Sequence, residues 1–376
     1  MEEKHFWLLI ILTILIFSLK AQAKNRLELS YQSINRDLPY YQMTATAVYF
    51  KKISHMGTGI FDYSELTKQT LKYSHFTQLW ARPVEIELSL GKEQAEGSWD
   101  LREPGGYWYG ESESLDSISV RGTFTYFLSQ GLGLKVGFAR EDLDHKGFAG
   151  DNNPPWLRTD WTRKDQKNSL ILGIEKSLLE NFKLECNYAS IEESQNFSNY
   201  GEATTGRWAE DTGEGKFRGD GWIFEVTYLK DSLRLKLLSS FENSEGDFED
   251  VKLTSEGWTY IEPLHTYSKS LKKFQYCLAL GFSLTKRLSV DLGYFIDKRD
   301  HIYNYLDNTS LDYDFYKNGF GCGLQLLILP SLKFRIDYSH ADFKRKDDWY
   351  YLSKKTPNWE GKGEEDKINL GWIFEF

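Results

Sequence analysis

The feature that most constrains this chain is a period-two alternation of apolar and polar residues, which recurs from residue 84 to the last residue. The segment 288–297, for example, alternates Leu, Val, Leu, Tyr and Ile with Ser, Asp, Gly, Phe and Asp. Segments 132–139 and 332–339 show the same alternation. Because successive side chains of a β-strand point to opposite faces, these segments predict strands with one apolar and one polar face.

The connections between these segments are unequal in a regular way. Short turns are predicted near 129–130, 179–181, 231–232, 285–287 and 329–331. Long polar stretches are predicted as loops at 93–112, 142–165, 192–218, 244–268, 300–313 and 344–362. Transmembrane β-barrels have this asymmetry, with short periplasmic turns and long extracellular loops. A closed sheet also satisfies every backbone polar group inside a bilayer.

The strand count predicts a barrel of intermediate size. About twelve strands fit between Val84 and Phe376, and the segments 41–51 and 69–80 are interpreted as one more pair. That gives about 14 strands, within a range of 12–16 that allows for a further pair inside residues 25–63. The predicted fold class is therefore an all-β, transmembrane, antiparallel up-and-down β-barrel.

Composition excludes the main alternative classes. Hydrophobic residues make up 40% of the chain and its mean hydropathy is −0.53, which excludes a bundle of membrane-spanning helices. The aromatic content of 16% is too high for a disordered protein. A net charge of −9 argues against a nucleic-acid partner. The three cysteines lie far apart, so no metal site and no cofactor are predicted.

Residues 1–23 have the features of a secretory signal peptide. An apolar stretch, Phe6–Leu19, is followed by the sequence Ala21-Gln22-Ala23, which predicts cleavage after Ala23. The alternative is an uncleaved membrane anchor. The remaining residues, 24–376, are interpreted as a single exported domain in the outer membrane of a Gram-negative bacterium.

The last strand carries a resemblance to a known class of proteins. Leu370, Trp372, Phe374 and Phe376 share one face, and Phe376 is the final residue. This segment resembles the closing strand of bacterial outer-membrane β-barrels of the porin-like class, which commonly ends in Phe and serves as an assembly signal. The resemblance implies three partners: outer-membrane lipid, lipopolysaccharide and the barrel-assembly machinery. The alternative is a soluble protein that ends in an amphipathic strand.

If the apolar faces contact lipid, the polar faces line a lumen. The predicted pore-lining residues are Glu85, Glu87, Arg121, Lys135, Lys183, Glu185, Glu225, Arg234, Lys236, Asp291, Lys333, Arg335 and Asp337. The Arg234–Lys236 and Lys333–Asp337 clusters follow short turns, so we expect them near the periplasmic mouth, at separated points around the lumen. These charges are interpreted either as an electrostatic filter or as a network that braces the wall. Inward glycines at 131, 133, 137, 319, 321 and 323 are expected to widen the lumen.

The sequence predicts no enzyme. The motifs GxSxG and HExxH are absent, and sequence neighbours such as Asp144 and His145 point to opposite faces of a strand. The predicted function is a porin-like channel for passive diffusion of small polar or charged solutes. Two alternatives are an outer-membrane enzyme with an active site in its loops and a structural barrel with a blocked lumen.

Overall fold

The computed structural model describes residues 25–37, 65–102, 108–129, 131–151, 156–179, 181–203, 208–254, 259–261, 266–305, 309–351, 354–355 and 359–376. These residues form one antiparallel sheet of fourteen long and two short strands. The strands are β1 (Asn25–Asp37), β2 (Glu65–Leu79), β3 (Arg82–Arg102), β4 (Trp108–Ser129), β5 (Leu132–Asp151), β6 (Trp156–Leu179), β7 (Phe182–Ala203), β8 (Trp208–Lys230), β9 (Leu233–Thr254), β10 (Thr259–Ile261), β11 (Tyr267–Ser283), β12 (Leu288–Tyr305), β13 (Thr309–Leu329), β14 (Leu332–Tyr351), β15 (Lys354–Lys355) and β16 (Trp359–Glu375). Among the residues described, no helix is long and apolar enough to cross a membrane.

The sheet closes on itself. Strand β1 pairs with β2 on one side and with β16 on the other, so each of the fourteen long strands has two neighbours. At the seam, the backbone N–H of Asn25 donates to the carbonyl oxygen of Phe376 at 2.7 Å, and the N–H of Phe376 donates back to Asn25 at 3.0 Å. The predicted antiparallel up-and-down barrel of 14 strands is confirmed.

The first strand differs from the sequence prediction. The expected partner of the strand near 69–80 was the segment 41–51, which lies outside the described residues, as does the predicted signal peptide 1–23. Strand β2 instead pairs with β1, which the sequence analysis placed only within a possible extra pair. The seam explains this arrangement, because Leu29 and Tyr31 of β1 align with Trp372 and Leu370 of β16 and continue the apolar face.

Most of the predicted long loops are strands. The segments 142–165 and 192–218, for example, belong to β5–β6 and β7–β8, which leave only residues 152–155 and 204–207 as connections. These segments were predicted as loops because they are polar. The strand pairing, however, continues beyond the point where the outward side chains stop being apolar. The short turns lie where they were predicted. We call the end of the barrel that carries them the turn end, and the opposite end the far end.

The two faces of the sheet have different chemistry. Outward side chains such as Leu134, Val136 and Phe138 are apolar, yet about half exposed. Along β12 this apolar band runs from Leu288 to Ile296, and the next two outward residues, Lys298 and Asp300, are charged. That length suits a tilted strand crossing a bilayer, for which about 9–11 residues are needed.

The turn between β2 and β3 holds two residues in the left-handed region. Trp80 and Ala81 have φ angles of 51° and 63°. Two positive φ angles are typical of the type I′ turn, which matches the twist of a hairpin and favours Asn-Gly. Residues other than glycine adopt this conformation at a cost, so the turn stores strain that the strand pairing overcomes.

Replacing Trp80 with Asn and Ala81 with Gly is therefore expected to raise the free energy of unfolding by about 1 kcal/mol. The measurement is urea unfolding of the refolded barrel in lipid. Ser232→Gly is the control and should give no gain, because Ser232 lies in a similar short turn but does not itself have a positive φ, unlike its neighbour Asp231. A loss of stability in the double variant would contradict the assigned turn geometry.

Candidate site on the inner wall of the barrel

The register places the predicted pore-lining residues on one face of the sheet. Contacts between strands that are not neighbours identify this face as the concave one, since only there do such side chains meet. Tyr267 of β11, for example, donates a hydrogen bond to Gln195 of β7 at 3.0 Å, although β8 and β9 lie between these strands. The residues on this face are Glu85, Glu87, Arg121, Lys135, Lys183, Glu185, Glu225, Arg234, Lys236, Asp291, Lys333, Arg335 and Asp337. That they line a conduction path stays a prediction.

Four of these residues form one cluster, which we call the arginine–aspartate cluster: Arg234, Asp291, Arg335 and Asp337. Arg234 donates to Asp291 at 2.6 Å, and Arg335 lies 3.6 Å from the other oxygen of the same carboxylate. Arg335 also donates to Asp337 at 2.8 Å. The expectation that the two basic clusters lie at separated points is therefore wrong, because Asp291 bridges them.

Two glycines allow this bridge. Gly281 and Gly323 pair with Asp291 from the strands on its two sides. A Cβ atom on Gly281 would lie 2.3 Å from an oxygen of Asp291, and a Cβ on Gly323 would lie 2.2 Å from an oxygen of Asp337. The charged side chains occupy the space that larger residues would fill, so β9 and β14 are linked across the strands between them.

A second cluster follows the same principle. Lys135 of β5 reaches over β6 to form an ion pair with Glu185 of β7, and both side chains are largely buried. Gly173 lies between them, and a Cβ there would collide with Asn187, which itself donates to Glu185 at 2.9 Å. Lys183 lies 3.9 Å from Glu185 and pairs more closely, at 2.8 Å, with Glu175.

Most other predicted charges also have partners. Glu87 pairs with Lys72 at 2.9 Å, Glu225 with Lys236 at 2.8 Å, and Lys333 with Glu375 at 2.5 Å. Glu85 and Arg121 make no ion pair with any residue that the structure describes. The arrangement favours the interpretation of these charges as a network that braces the wall.

Sequence reasoning missed three further pairs on the same face. They are Lys167–Glu242, Lys317–Glu365 and Arg299–Asp297. All six residues lie outside the segments that were interpreted as loops. The period-two parity of the alternating strands is therefore the signal that places them inward.

The inward glycines do not all widen the lumen as expected. Gly131 lies in a turn with a φ angle of 87° rather than in a strand. At Gly133 a Cβ would lie 2.9 Å from Thr125, and at Gly319 a Cβ would lie 2.3 Å from a backbone oxygen. These two glycines allow close packing between neighbouring strands.

An inner-wall cavity of about 630 Å³ lies on the side of the barrel formed by β1, β2, β9, β11–β14 and β16. Its lining includes Phe295 and Leu238, and also Lys68 and Lys367. We call this space the lumen cavity. It combines an apolar wall with charged groups.

Toward the far end, the inner wall carries a group of six buried rings and one leucine that we call the aromatic cluster: Phe197, Phe217, Phe248, Tyr267, Tyr303, Tyr305 and Leu311, with Trp161 packed against them. Glycines make room for these rings, since a Cβ on Gly213 would lie 2.3 Å from Phe248 and one on Gly246 would lie 2.8 Å from the ring of Phe217. Phe248 and Tyr267 stack with their ring centroids 5.0 Å apart. Large buried side chains thus narrow the lumen beyond the apolar band.

His301 lies beside this cluster, beyond the apolar band. It stacks on Tyr303, meets Tyr313 edge-on at 5.1 Å and is 8% exposed. Burial, reinforced by the positive charges of Lys269, Arg299, Arg345 and Arg163, holds the pKa of His301 well below its ordinary value. The imidazole is therefore neutral at pH 7.

Other predicted features have defined positions. Leu370, Trp372 and Phe374 face outward on β16, and Phe376 is about half exposed at the seam. Their role as an assembly signal stays a prediction. The acidic residues within 192–203, 208–219 and 244–250 lie in strands rather than loops, and the described residues contain no group of three or more metal-ligating side chains.

Comparison with solved structures agrees with the fold. The toluene transporter TodX of P. putida superposes with a TM-score of 0.52 at 9% identity, covering 96% of this chain and 92% of that one. The CymD monoaromatic hydrocarbon channel gives a TM-score of 0.50 at 10% identity, covering 95% and 90%. No protein-family model and no curated protein matches the chain. The similarity shows that the chain has the fold of an outer-membrane β-barrel.

Removing one partner of the Lys135–Glu185 pair is expected to destabilise the barrel. Lys135→Met leaves a largely buried carboxylate without its main partner, so the free energy of unfolding should fall by about 2–4 kcal/mol. In Lys135→Met with Glu185→Leu the loss should be smaller than the sum of the two single losses. The control is Arg140→Met, since the Arg140–Asp142 pair is exposed and its loss should change little. Additive losses would show that the two residues do not interact.

Acidification is expected to weaken the far end through His301. Below the ordinary pKa of about 6.5, the unfolded chain binds a proton at His301 that the folded barrel does not bind. Stability should thus fall by about 1 kcal/mol between pH 6.5 and 5.5 from this group alone. The measurement is urea unfolding at both pH values for wild type and for His301→Phe, which should lack this component. An equal pH dependence in both proteins would contradict the assignment.

Proposed function

We propose that this protein is a transport channel of a bacterial outer membrane that admits small solutes by passive diffusion. The observation that carries the proposal is a closed barrel with an apolar outer band, a charged inner wall and a cavity on that wall. Barrels of eight strands are filled by side chains, whereas barrels of 16–18 strands enclose an aqueous channel. Fourteen strands leave room for a narrow path between these limits.

The chemistry of the inner wall suits a solute that has both an apolar part and a polar or charged part. The solved structures of similar fold are described as a toluene transporter and a monoaromatic hydrocarbon channel. In this chain the lumen cavity offers the apolar side chains of Leu238 and Phe295, while charged groups line the rest of its wall. We therefore propose compact solutes that combine an apolar body with a polar or charged group. No catalytic step and no cofactor is part of this proposal.

The proposed orientation follows from the connections. The turn end faces the periplasm, and the far end, with its aromatic cluster, faces the outside of the cell. Residues 1–23 then direct export, and the outward face of β16 meets the assembly machinery. Outer-membrane lipid and lipopolysaccharide cover the apolar band and its far edge.

A blocked structural barrel is the second candidate, and the aromatic cluster favours it. Phe217, Phe248 and Tyr303 are at most 4% exposed, so their rings fill space that a conducting path would need. The two candidates differ in one measurable property. A channel passes ions or swells liposomes in the presence of permeant solutes, and a blocked barrel does neither.

Asp291 provides the sharpest test of the channel. Asp291→Asn removes the carboxylate that bridges Arg234 and Arg335, which leaves excess positive charge on the inner wall. We expect the reversal potential in planar bilayers under a KCl gradient to shift toward anion selectivity. Lys236→Gln, which leaves Glu225 unpaired, should shift it toward cations. Absence of conductance in every folded variant would favour the blocked barrel.

A further inference from the structure

Four acidic and four basic groups line the lumen cavity, and one of the basic groups has no ion-pair partner among the described residues. Four carboxylates line it, and each is within ion-pair distance of a basic group: Asp291 with Arg234, Asp297 with Arg299, Asp337 with Arg335, and Glu365 with Lys317. Lys68, which also lines the cavity, pairs with Glu93 at 3.0 Å. These five pairs neutralise ten of the charged groups in and around the cavity.

Lys367 is the basic group of the cavity lining that belongs to none of these five pairs. It lines the cavity from β16 and makes no ion pair and no hydrogen bond with any residue that the structure describes. An ammonium group held away from bulk water without a partner is costly, and the cost falls when an anion occupies the adjacent space. An anion bound in the cavity would therefore explain why a lysine is placed at this position.

The wall beside Lys367 keeps this space open. A cross-strand row runs from Ala279 through Gly293, Gly321 and Ser339 to Lys367. At Gly293 a Cβ would find its nearest neighbours at 3.4 and 3.9 Å, which is ordinary contact, so packing does not require a glycine there. Larger residues at this position would extend into the cavity.

The opposite part of the cavity is apolar. Leu238 and Phe295 line it, and both belong to strands on the far side of the row from Lys367. A ligand that fits this space has a compact apolar body against Leu238 and Phe295 and a negative charge directed to Lys367. A volume of about 630 Å³ accommodates a single-ring molecule with its first shell of water.

We propose that the lumen cavity is a binding site for small organic monoanions, in which Lys367 pairs with the anionic group. This inference rests on the proposed channel function and names the solute class that the channel selects. Binding involves no covalent step. The site raises the local concentration of the anion midway along the strands.

The test uses benzoate as the anionic probe and benzyl alcohol as its neutral counterpart. Binding to the refolded barrel in detergent is measured by equilibrium dialysis, which does not depend on conduction. Lys367→Met should weaken benzoate binding at least tenfold and leave benzyl alcohol binding unchanged. Lys367→Arg should retain benzoate binding within a few-fold.

Two further variants distinguish binding in the lumen cavity from a general effect of positive charge on the inner wall. Lys273→Met is the matched control, because Lys273 also faces inward without an ion pair among the described residues but does not line the cavity; benzoate binding should be unchanged. Gly293→Leu should fill the cavity and weaken both probes. Each variant is first shown to be folded by its heat-modifiable mobility on SDS gels.

The outcomes are distinct. Equal benzoate affinity in wild type and folded Lys367→Met, or no benzoate binding to wild type, would overturn the site while leaving the channel to be judged by conductance. Benzoate binding that depends on Lys367 in a barrel that does not conduct would support the site and overturn the channel. An equal loss in Lys273→Met would show a general charge effect and also overturn the site.

Discussion

The rest of the structure depends on the backbone pairing that joins the first strand to the last. A sheet in a bilayer has no water to satisfy an open edge, so the ladder between β1 and β16 is the step that makes the whole barrel compatible with lipid. Asn25 and Phe376 exchange hydrogen bonds at this seam, which brings the start of β1 and the end of the chain together. Closure fixes which face is concave, and with it which side chains can meet.

Charged side chains on the concave face reach each other across an intervening strand because that strand has a glycine between them. Asp291 accepts from Arg234 and contacts Arg335 across Gly281 and Gly323, and Lys135 reaches Glu185 across Gly173. These contacts connect strands that share no backbone ladder. The same charges that connect these strands also set the electric field along the inner wall, so the interpretation as a bracing network does not exclude the interpretation as an electrostatic filter.

Sequence pattern predicted the strand faces and the count, but not the contacts between them. The alternation at 288–297 is visible locally, since it depends only on the two-residue repeat of a strand. The meeting of Arg234 with Asp291 depends on register and on the tilt of strands in a closed barrel, which no local pattern contains. The polar segments from 142 to 165 were misjudged because polarity marks where lipid ends, not where the sheet ends. That Lys367 has no ion pair among the described residues likewise becomes clear only when every neighbouring carboxylate has been assigned to its partner.

The aromatic cluster lies beyond the apolar band. The apolar side chains of the barrel are therefore removed from water in two ways, by lipid in the band and by other side chains of the protein in the cluster. Inside the band, outward side chains leave water for lipid when the barrel folds, so the free energy gained there depends on the surrounding bilayer. Beyond it, rings such as Phe248 and Tyr303 leave water on folding, so the hydrophobic effect stabilises this part as it does a soluble domain. The far half of the barrel therefore keeps its hydrophobic stabilisation when detergent replaces the bilayer, whereas the stabilisation of the band changes with the apolar medium that surrounds it.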